Sequence, residues 1–184
     1  EVPLEFSPGE AWNYSVATDV LGRLVELWSG QPLDVFIRDR ITTPLKMYDT
    51  DFFLPEAKRD RLAQLYVPSP DGGIAPFGEL GLVRPSAPMM LSGGGGLVST
   101  AHDYHRFTAM LLRGGELDDV RLLSGRTISL MTENYLPSNG DLVDWARDSF
   151  SEVGLAGHGF GLAMAVVVNR AASCQPLAEG SFMW

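Results

Sequence analysis

The stretch from Met47 to Leu91 constrains the fold more than any other part of the chain, because it contains six prolines and several glycines. Proline lacks a backbone N–H and disrupts helices and central strands, so this stretch is predicted to be mostly irregular. Irregular segments this long inside compact domains are usually functional or disordered. Aromatic and apolar side chains within it favour a packed loop over a disordered linker. They include Phe52, Phe53, Tyr66, Phe77 and Leu82.

Two helices are predicted before this stretch. Ser7-Pro8-Gly9 predicts a turn, and apolar residues at three- and four-residue spacing then predict a helix over Ser15–Ser29. Gly30 is expected to end that helix. A second apolar stripe predicts a short helix over Leu33–Ile41.

The second half of the chain changes from helical to strand character. Thr100 is a good N-cap for a helix that follows the Gly93–Gly96 run, and Ser124 is expected to cap another helix. Phe160–Val168 is rich in Val and Ala and is predicted to be one buried strand. Ser181–Trp184 is predicted to begin its partner strand. The sequence contains no internal repeat and no Pro/Ser linker, so we expect residues 1–184 to belong to a single domain.

Composition excludes several classes of protein. The chain has 14 Lys and Arg against 23 Asp and Glu, a net charge of −9, 45% hydrophobic residues and 20% charged residues. These values are typical of a soluble globular protein and argue against collagen-like, coiled-coil and disordered chains. The acidic charge without a basic cluster predicts no nucleic-acid partner, and no apolar run is long enough for a membrane span. One cysteine, Cys174, excludes an internal disulfide framework and favours the cytoplasm.

No nucleophile motif is present in the sequence. It contains neither the Gly-x-Ser-x-Gly elbow of α/β-hydrolases nor a Ser-x-x-Lys box. Thr43 lies three residues before Lys46, but Pro44 between them argues against a helical catalytic pair. The Gly93–Gly96 run continues into Leu97 rather than Lys, so we interpret it as a turn that allows close backbone approach and not as a phosphate-binding loop. We predict no metal site and no cofactor.

An ordered set of motifs nevertheless resembles the serine β-lactamase-like superfamily, which contains the penicillin-recognising hydrolases and the family VIII carboxylesterases. The resemblance covers nearly the whole chain. Its elements are Pro8-Gly9-Glu10, Tyr14-Ser15, Asp19-Val20-Leu21-Gly22, Ser29-Gly30, Pro44-Leu45, Asp49-Thr50, Gly94 to Ala101, Asp103-Tyr104 and Gly159 to Leu162.

The resemblance implies roles for particular residues. In that family the nucleophile is the Ser of a Ser-x-x-Lys box upstream of this region, and Tyr14 occupies the place of the catalytic Tyr in the second box. Tyr14 would then be the general base for a Ser outside this sequence. Trp184 resembles the first residue of the third box, which is Trp-Gly-Gly in many esterase relatives. We therefore expect the chain to be a segment of a longer catalytic domain.

The departures from the lactamase pattern point to the substrate. Val16 replaces the Asn of the second box, and Trp184 replaces a Lys suited to the carboxylate of a β-lactam. Both changes favour a neutral, apolar acyl group. The loop residues Phe77, Leu82 and Met89 are candidates to line the acyl-binding cleft, with a purely structural role as the alternative.

The expected fold is the α/β (α+β type) architecture of that family, in which an antiparallel sheet is flanked by helices and joined to a mainly helical subdomain. The expected activity is hydrolysis of small-molecule carboxylic esters through an acyl-enzyme. Two alternatives stay open. The parent protein would act on amides or transfer acyl groups, as a β-lactamase, D-amino-peptidase or transesterase, or it would be a non-catalytic relative that uses the cleft for binding.

Overall fold

The computed structural model describes residues 3–77, 90–146 and 155–183. The chain divides into two units. The first, here the loop unit, is Ala17–Ala109. The second, here the sheet unit, combines Glu1–Val16 with Met110–Trp184. Among the described residues, no helix has the length and apolar character needed to cross a membrane.

The loop unit contains the predicted helices and little regular structure between them. Its elements are α1 (Ala17–Ser29), α2 (Leu33–Ile37), a π-helical turn (Arg38–Thr42), a 3-10 helix (Glu56–Arg61), an antiparallel hairpin of β1 (Tyr66–Pro68) and β2 (Ile74–Pro76), and the start of α3 (Ala101–Leu112), within which the two units divide. The helix predicted over Ser15–Ser29 is confirmed, two residues shorter at its start. Gly30 ends it with a φ of +69°.

The apolar stripe of α1 is largely exposed in the part of the chain that the structure describes. Leu21, Leu27 and Trp28 each expose more than half of their surface, and Gly22 is the buried residue of the helix. Gly22 is buried because α1 packs there against the glycine run. The apolar pattern therefore predicted the helix correctly but did not identify the side by which it packs in this unit.

The glycine run contacts the first turns of α1 at backbone distance. A Cβ built on Gly93 would lie under 3.0 Å from the backbone oxygen of Thr18. Asp19 Oδ1 also accepts hydrogen bonds from Ser92 Oγ (2.5 Å) and from the Gly94 N–H (3.4 Å). The interpretation of this run as a site of close backbone approach is confirmed.

The sheet unit combines short helices with two small antiparallel sheets. Its elements are the end of α3, β3 (Glu116–Leu117), β4 (Val120–Arg121), α4 (Gly125–Met131), a 3-10 turn (Pro137–Asn139), α5 (Leu142–Trp145), β5 (His158–Phe160), β6 (Ala165–Val167), α6 (Arg170–Ser173) and β7 (Phe182–Met183). Strands β3 and β4 pair with each other, and the second sheet has the order β5-β6-β7. The predicted cap of α4 is confirmed, because the Thr127 N–H donates to Ser124 Oγ at 3.0 Å.

The single strand predicted over Phe160–Val168 is wrong. The chain turns between β5 and β6, where the Gly161 N–H donates to the Met164 carbonyl (2.8 Å) and Ala163 has a φ of +64°. The Val- and Ala-rich composition correctly predicted that β6 is buried. It did not predict the tight turn before β6, because this turn contains neither Pro nor Asn. The predicted partner strand is confirmed, since β7 pairs with β6 and places Met183 opposite Ala165.

The core of the sheet unit lies where α5 and the three-stranded sheet meet. Four buried apolar residues form it, and four partly buried side chains pack around them. The buried residues are Leu136, Leu142, Leu155 and Ala165, and the surrounding ones are Trp12, Trp145, Phe160 and Met183. The N-terminal segment thus reaches this core through Trp12.

Candidate active site

The segment that carries Tyr14 begins with the predicted turn. The Glu10 N–H donates to the Ser7 carbonyl (3.1 Å), and Gly9 has a φ of +90°. Pro at the second and Gly at the third position of such a turn fit a type II geometry. Asn13 Nδ2 donates to Glu5 Oε2 at 2.7 Å and closes the loop over this turn. The predicted turn is confirmed.

Trp12 attaches this segment to the sheet unit. The backbone N–H of Trp12 donates to the Trp145 carbonyl at 2.9 Å, and Trp12 forms an isolated parallel bridge with Ala146. Its indole ring packs against Phe160, with ring centroids 4.9 Å apart and planes inclined by 57°. The backbone two residues before Tyr14 is therefore fixed both by a hydrogen bond and by an aromatic contact.

Tyr14 and Val16 lie next to each other at the surface of the sheet unit. Tyr14 exposes 39% of its surface and Val16 exposes 69%. A side chain that exchanges protons with a reacting group must be accessible, and Tyr14 meets this requirement. Its role as the base stays a prediction.

The other predicted substrate-binding residues belong to the proline-rich stretch. Phe77 lies in the loop unit directly after β2, exposes 40% of its surface, and donates its N–H to the Leu65 carbonyl at 2.8 Å. Leu82 and Met89 lie outside the described residues, and so does Trp184. Of the six candidate residues, the structure places only Tyr14 and Val16 on one segment.

Asn134 is a residue that the sequence analysis missed. Its Oδ1 accepts hydrogen bonds from the N–H groups of Leu136 (3.1 Å) and Phe160 (3.0 Å), and its Nδ2 donates to the Gly140 carbonyl at 2.9 Å. A Cβ on Gly159 would collide with this carboxamide. Glycine inside a strand often marks such a close approach, so Gly159 was the available signal.

A separate polar cluster lies in the loop unit beside a cavity of about 340 Å³. Arg61 forms a two-bond pair with Asp49 (3.1 and 2.7 Å), and Lys58 Nζ lies 2.6 Å from Asp49 Oδ1. The buried Asp103 accepts hydrogen bonds from the Asp49 N–H (2.8 Å) and from Thr50 Oγ1 (3.0 Å). These bonds explain physically why Asp49-Thr50 and Asp103 occur together among the motifs.

The Asp49 cluster gives a pH prediction. Hydrogen bonds from Arg61 and Lys58 hold the pKa of the Asp49 carboxyl well below its usual range. Because the folded pKa is lower than the unfolded one, the charge stabilises the fold above the unfolded pKa, and this contribution is lost as pH falls through the folded value. As pH falls from about 5 to about 2, we expect the free energy of unfolding of Asp49→Asn to decrease less steeply than that of the wild type. Urea denaturation at each pH measures this free energy. The exposed Asp71→Asn is the control, and equal slopes in the wild type and Asp49→Asn would contradict the prediction.

No group of three potential metal ligands occurs within residues 3–77, 90–146 and 155–183. His102 and His105 are both exposed on α3.

Comparisons with known proteins show the family to which the chain is related. A family model described as Beta-lactamase matches residues 1–175. Protein Rv1367c of Mycobacterium tuberculosis is 35% identical over 188 residues, which cover 100% of this chain and 45% of that protein. Esterase EstB of Burkholderia gladioli is 31% identical over 201 residues, covering 99% of this chain and 46% of EstB. The chain spans about half the length of these relatives.

The fold is shared with a solved structure as well. EstCE1, described as a hydrolase with promiscuous acyltransferase activity, matches with a TM-score of 0.76 at 24% identity, over 98% of this chain and 47% of that one. The mixed helical and antiparallel fold expected from the sequence is thereby confirmed. The chain belongs to the Beta-lactamase family, within the serine β-lactamase-like superfamily that its motifs resemble and close to the family VIII esterases.

Proposed function

We propose that this chain is part of a serine carboxylesterase that cleaves small-molecule esters through an acyl-enzyme, with Tyr14 as the general base. The observation that carries the proposal is the position of Tyr14, exposed on a segment that Trp12 fixes to the sheet unit. The name of the relative EstB supports an ester as the substrate. Since the chain spans about half of its relatives, the activity is proposed for the full-length protein.

The proposed reaction begins with a serine of a Ser-x-x-Lys box outside residues 1–184. The Tyr14 phenolate takes the proton from the serine hydroxyl while Oγ bonds to the ester carbonyl carbon, and the carbonyl electron pair moves to oxygen. Collapse of this intermediate breaks the bond to the alcohol oxygen, which takes the proton from Tyr14. A water molecule then attacks the acyl-enzyme in the same way and releases the carboxylic acid and the free serine.

Two further groups are required for this reaction. A tyrosine phenol ordinarily titrates near pH 10, so a nearby cation must stabilise the phenolate. By the resemblance, that cation is the lysine of the first box. The negative oxygen of the intermediate needs backbone N–H donors, which in this family come from the nucleophile and from the strand of the third box, whose first residue Trp184 resembles.

The proposed substrate is an ester with a neutral, apolar acyl group. Val16 offers no amide to a lactam side chain, and Trp184 offers no cation to a carboxylate. The relatives leave an amide substrate or an acyl acceptor other than water as the alternative, and an assay separates these possibilities.

We expect the full-length protein to hydrolyse p-nitrophenyl butyrate with a kcat/KM at least about 100 times that for a chromogenic cephalosporin. The matched control is the variant in which the box serine is replaced by Ala, because activated esters also react with other nucleophiles. Preference for the cephalosporin would favour an amide hydrolase. Turnover of neither substrate, in a protein without a Ser-x-x-Lys box, would indicate a binding protein.

A further inference from the structure

Trp12 is held at two separate points of the sheet unit. The Trp145 carbonyl accepts a hydrogen bond from the backbone N–H of Trp12, and the Phe160 ring packs on the indole ring of Trp12. Trp145 ends α5, whereas Phe160 ends β5. A residue attached to two different elements in this way has little freedom to shift, provided that the two elements are fixed relative to each other.

The two elements are joined by side-chain hydrogen bonds. Asp141 accepts the N–H groups of the first turn of α5 at Oδ1, and its Oδ2 accepts the Gly157 N–H directly before β5 (2.9 Å). At the other end of β5, Asn134 Oδ1 accepts the Phe160 N–H (3.0 Å). The supports of Trp12 therefore form one framework, which continues through β6 to β7 at Met183.

Tyr14 follows Trp12 after one intervening residue. Consecutive Cα atoms are about 3.8 Å apart, so a shift of Trp12 is transmitted over a short, nearly inextensible link to Tyr14. Tyr14 exposes 39% of its surface, whereas Trp12 is partly buried against the core of the sheet unit. The backbone position of Tyr14 is thus tied to the place where Trp12 is held.

We propose that Trp12 is a positioning residue that fixes Tyr14 in the geometry needed for proton transfer and acts on the reaction only through Tyr14. This inference rests on the proposed function. Displacement of a catalytic group by about 1 Å can cost about 100-fold in rate, which makes an aromatic support two residues away relevant to turnover.

The test uses Trp12→Leu in the full-length protein with p-nitrophenyl butyrate as substrate. We expect kcat to fall about 100-fold with KM within about threefold of the wild type. We also expect the acid limb of the pH–rate profile to move to higher pH, because a phenolate displaced from its cation is less stabilised. Trp12→Phe retains an aromatic ring for Phe160 and should restore most of the activity.

Leu117→Ala is the matched control for loss of core packing. Leu117 is buried in β3 of the same unit but does not belong to the core against which Trp12 packs. It should lower the melting temperature and leave the acid limb unchanged. If Trp12→Leu does not fold, Phe160→Leu removes the other ring of the same contact and should give the same kinetic change. An unchanged acid limb in folded Trp12→Leu or Phe160→Leu would overturn the proposal.

A double-mutant cycle with Tyr14→Phe separates this inference from the proposed function. If Trp12 acts through Tyr14, Trp12→Leu should lower kcat little further once the phenol is gone. Additive losses would overturn the positioning role and leave the base assignment intact. Wild-type turnover in Tyr14→Phe alone would instead overturn the proposed function, and the positioning role with it.

Discussion

Replacing Tyr14 with Phe should lower the kcat of the full-length protein for p-nitrophenyl butyrate by about 1,000-fold, with KM within about threefold. The change removes only the phenolic oxygen, which is the atom proposed to take the proton from the nucleophilic serine. Substrate binding does not require that oxygen, so the loss should appear in kcat. Initial rates over a range of substrate concentrations measure both constants.

The fold should be unaffected by this substitution, because Tyr14 is exposed and the aromatic ring is retained. Tyr104→Phe is the matched control. Tyr104 is an exposed tyrosine on α3, and its ring contact with Phe107 does not involve the hydroxyl group. Its kcat should equal that of the wild type. A Tyr14→Phe protein with wild-type turnover would show that another group is the base.

Replacing Gly93 with Ala should lower the free energy of unfolding by about 3 kcal/mol. The added methyl group would meet the backbone oxygen of Thr18 and the backbone of Gly22 on α1. Backbone atoms inside a helix cannot rotate away as a side chain can, so either α1 or the glycine run must move. Urea denaturation of the full-length protein measures the effect.

Gly95→Ala provides the control within the same glycine run. A Cβ on Gly95 would have no atom within 4 Å, so this substitution tests loss of glycine alone. We expect its unfolding midpoint to stay close to that of the wild type. If the two substitutions destabilised the protein equally, the flexibility of the glycine run, and not its contact with α1, would determine its contribution to stability.

Much of the helical structure could be predicted from local sequence. Helix α1 and the capped starts of α3 and α4 follow from apolar spacing and from Thr100 and Ser124, since caps and periodicity are local properties. The Thr100 hydroxyl does accept the Asp103 N–H, at 3.1 Å. The Asp103 carboxylate, in contrast, accepts hydrogen bonds from Asp49 and Thr50, more than fifty positions away in the chain, which no local pattern predicts.

The errors arise where tertiary contacts override local pattern. The turn at Gly161 and Ala163 contains one isolated glycine and neither Pro nor Asn, so the chain from Phe160 to Val168 was expected to be one strand. The two-stranded sheet of β3 and β4 was also not predicted, and its turn residues Asp118 and Asp119 both have a left-handed backbone. Neither feature follows from hydrophobic periodicity.

The order of the motifs along the chain indicated the candidate site, and the local chemistry of its residues did not. Tyr14 alone has no sequence property that distinguishes a base from a packing residue, and only its place among the other motifs indicated a role. The structure adds the support from Trp12 and the framework around Asn134, which depend on contacts between distant segments. The proposed roles of Phe77 and Trp184 stay predictions.

The most direct test of the account is covalent labelling of the full-length protein and its Tyr14→Phe variant with a p-nitrophenyl alkylphosphonate. The serine oxygen would bond to phosphorus and release p-nitrophenolate, and peptide mass mapping would locate the adduct. We predict an adduct on a serine three residues before a lysine outside residues 1–184, formed at least about 100 times more slowly in Tyr14→Phe. An adduct on a serine within these residues, or equal labelling rates in the two proteins, would contradict the account.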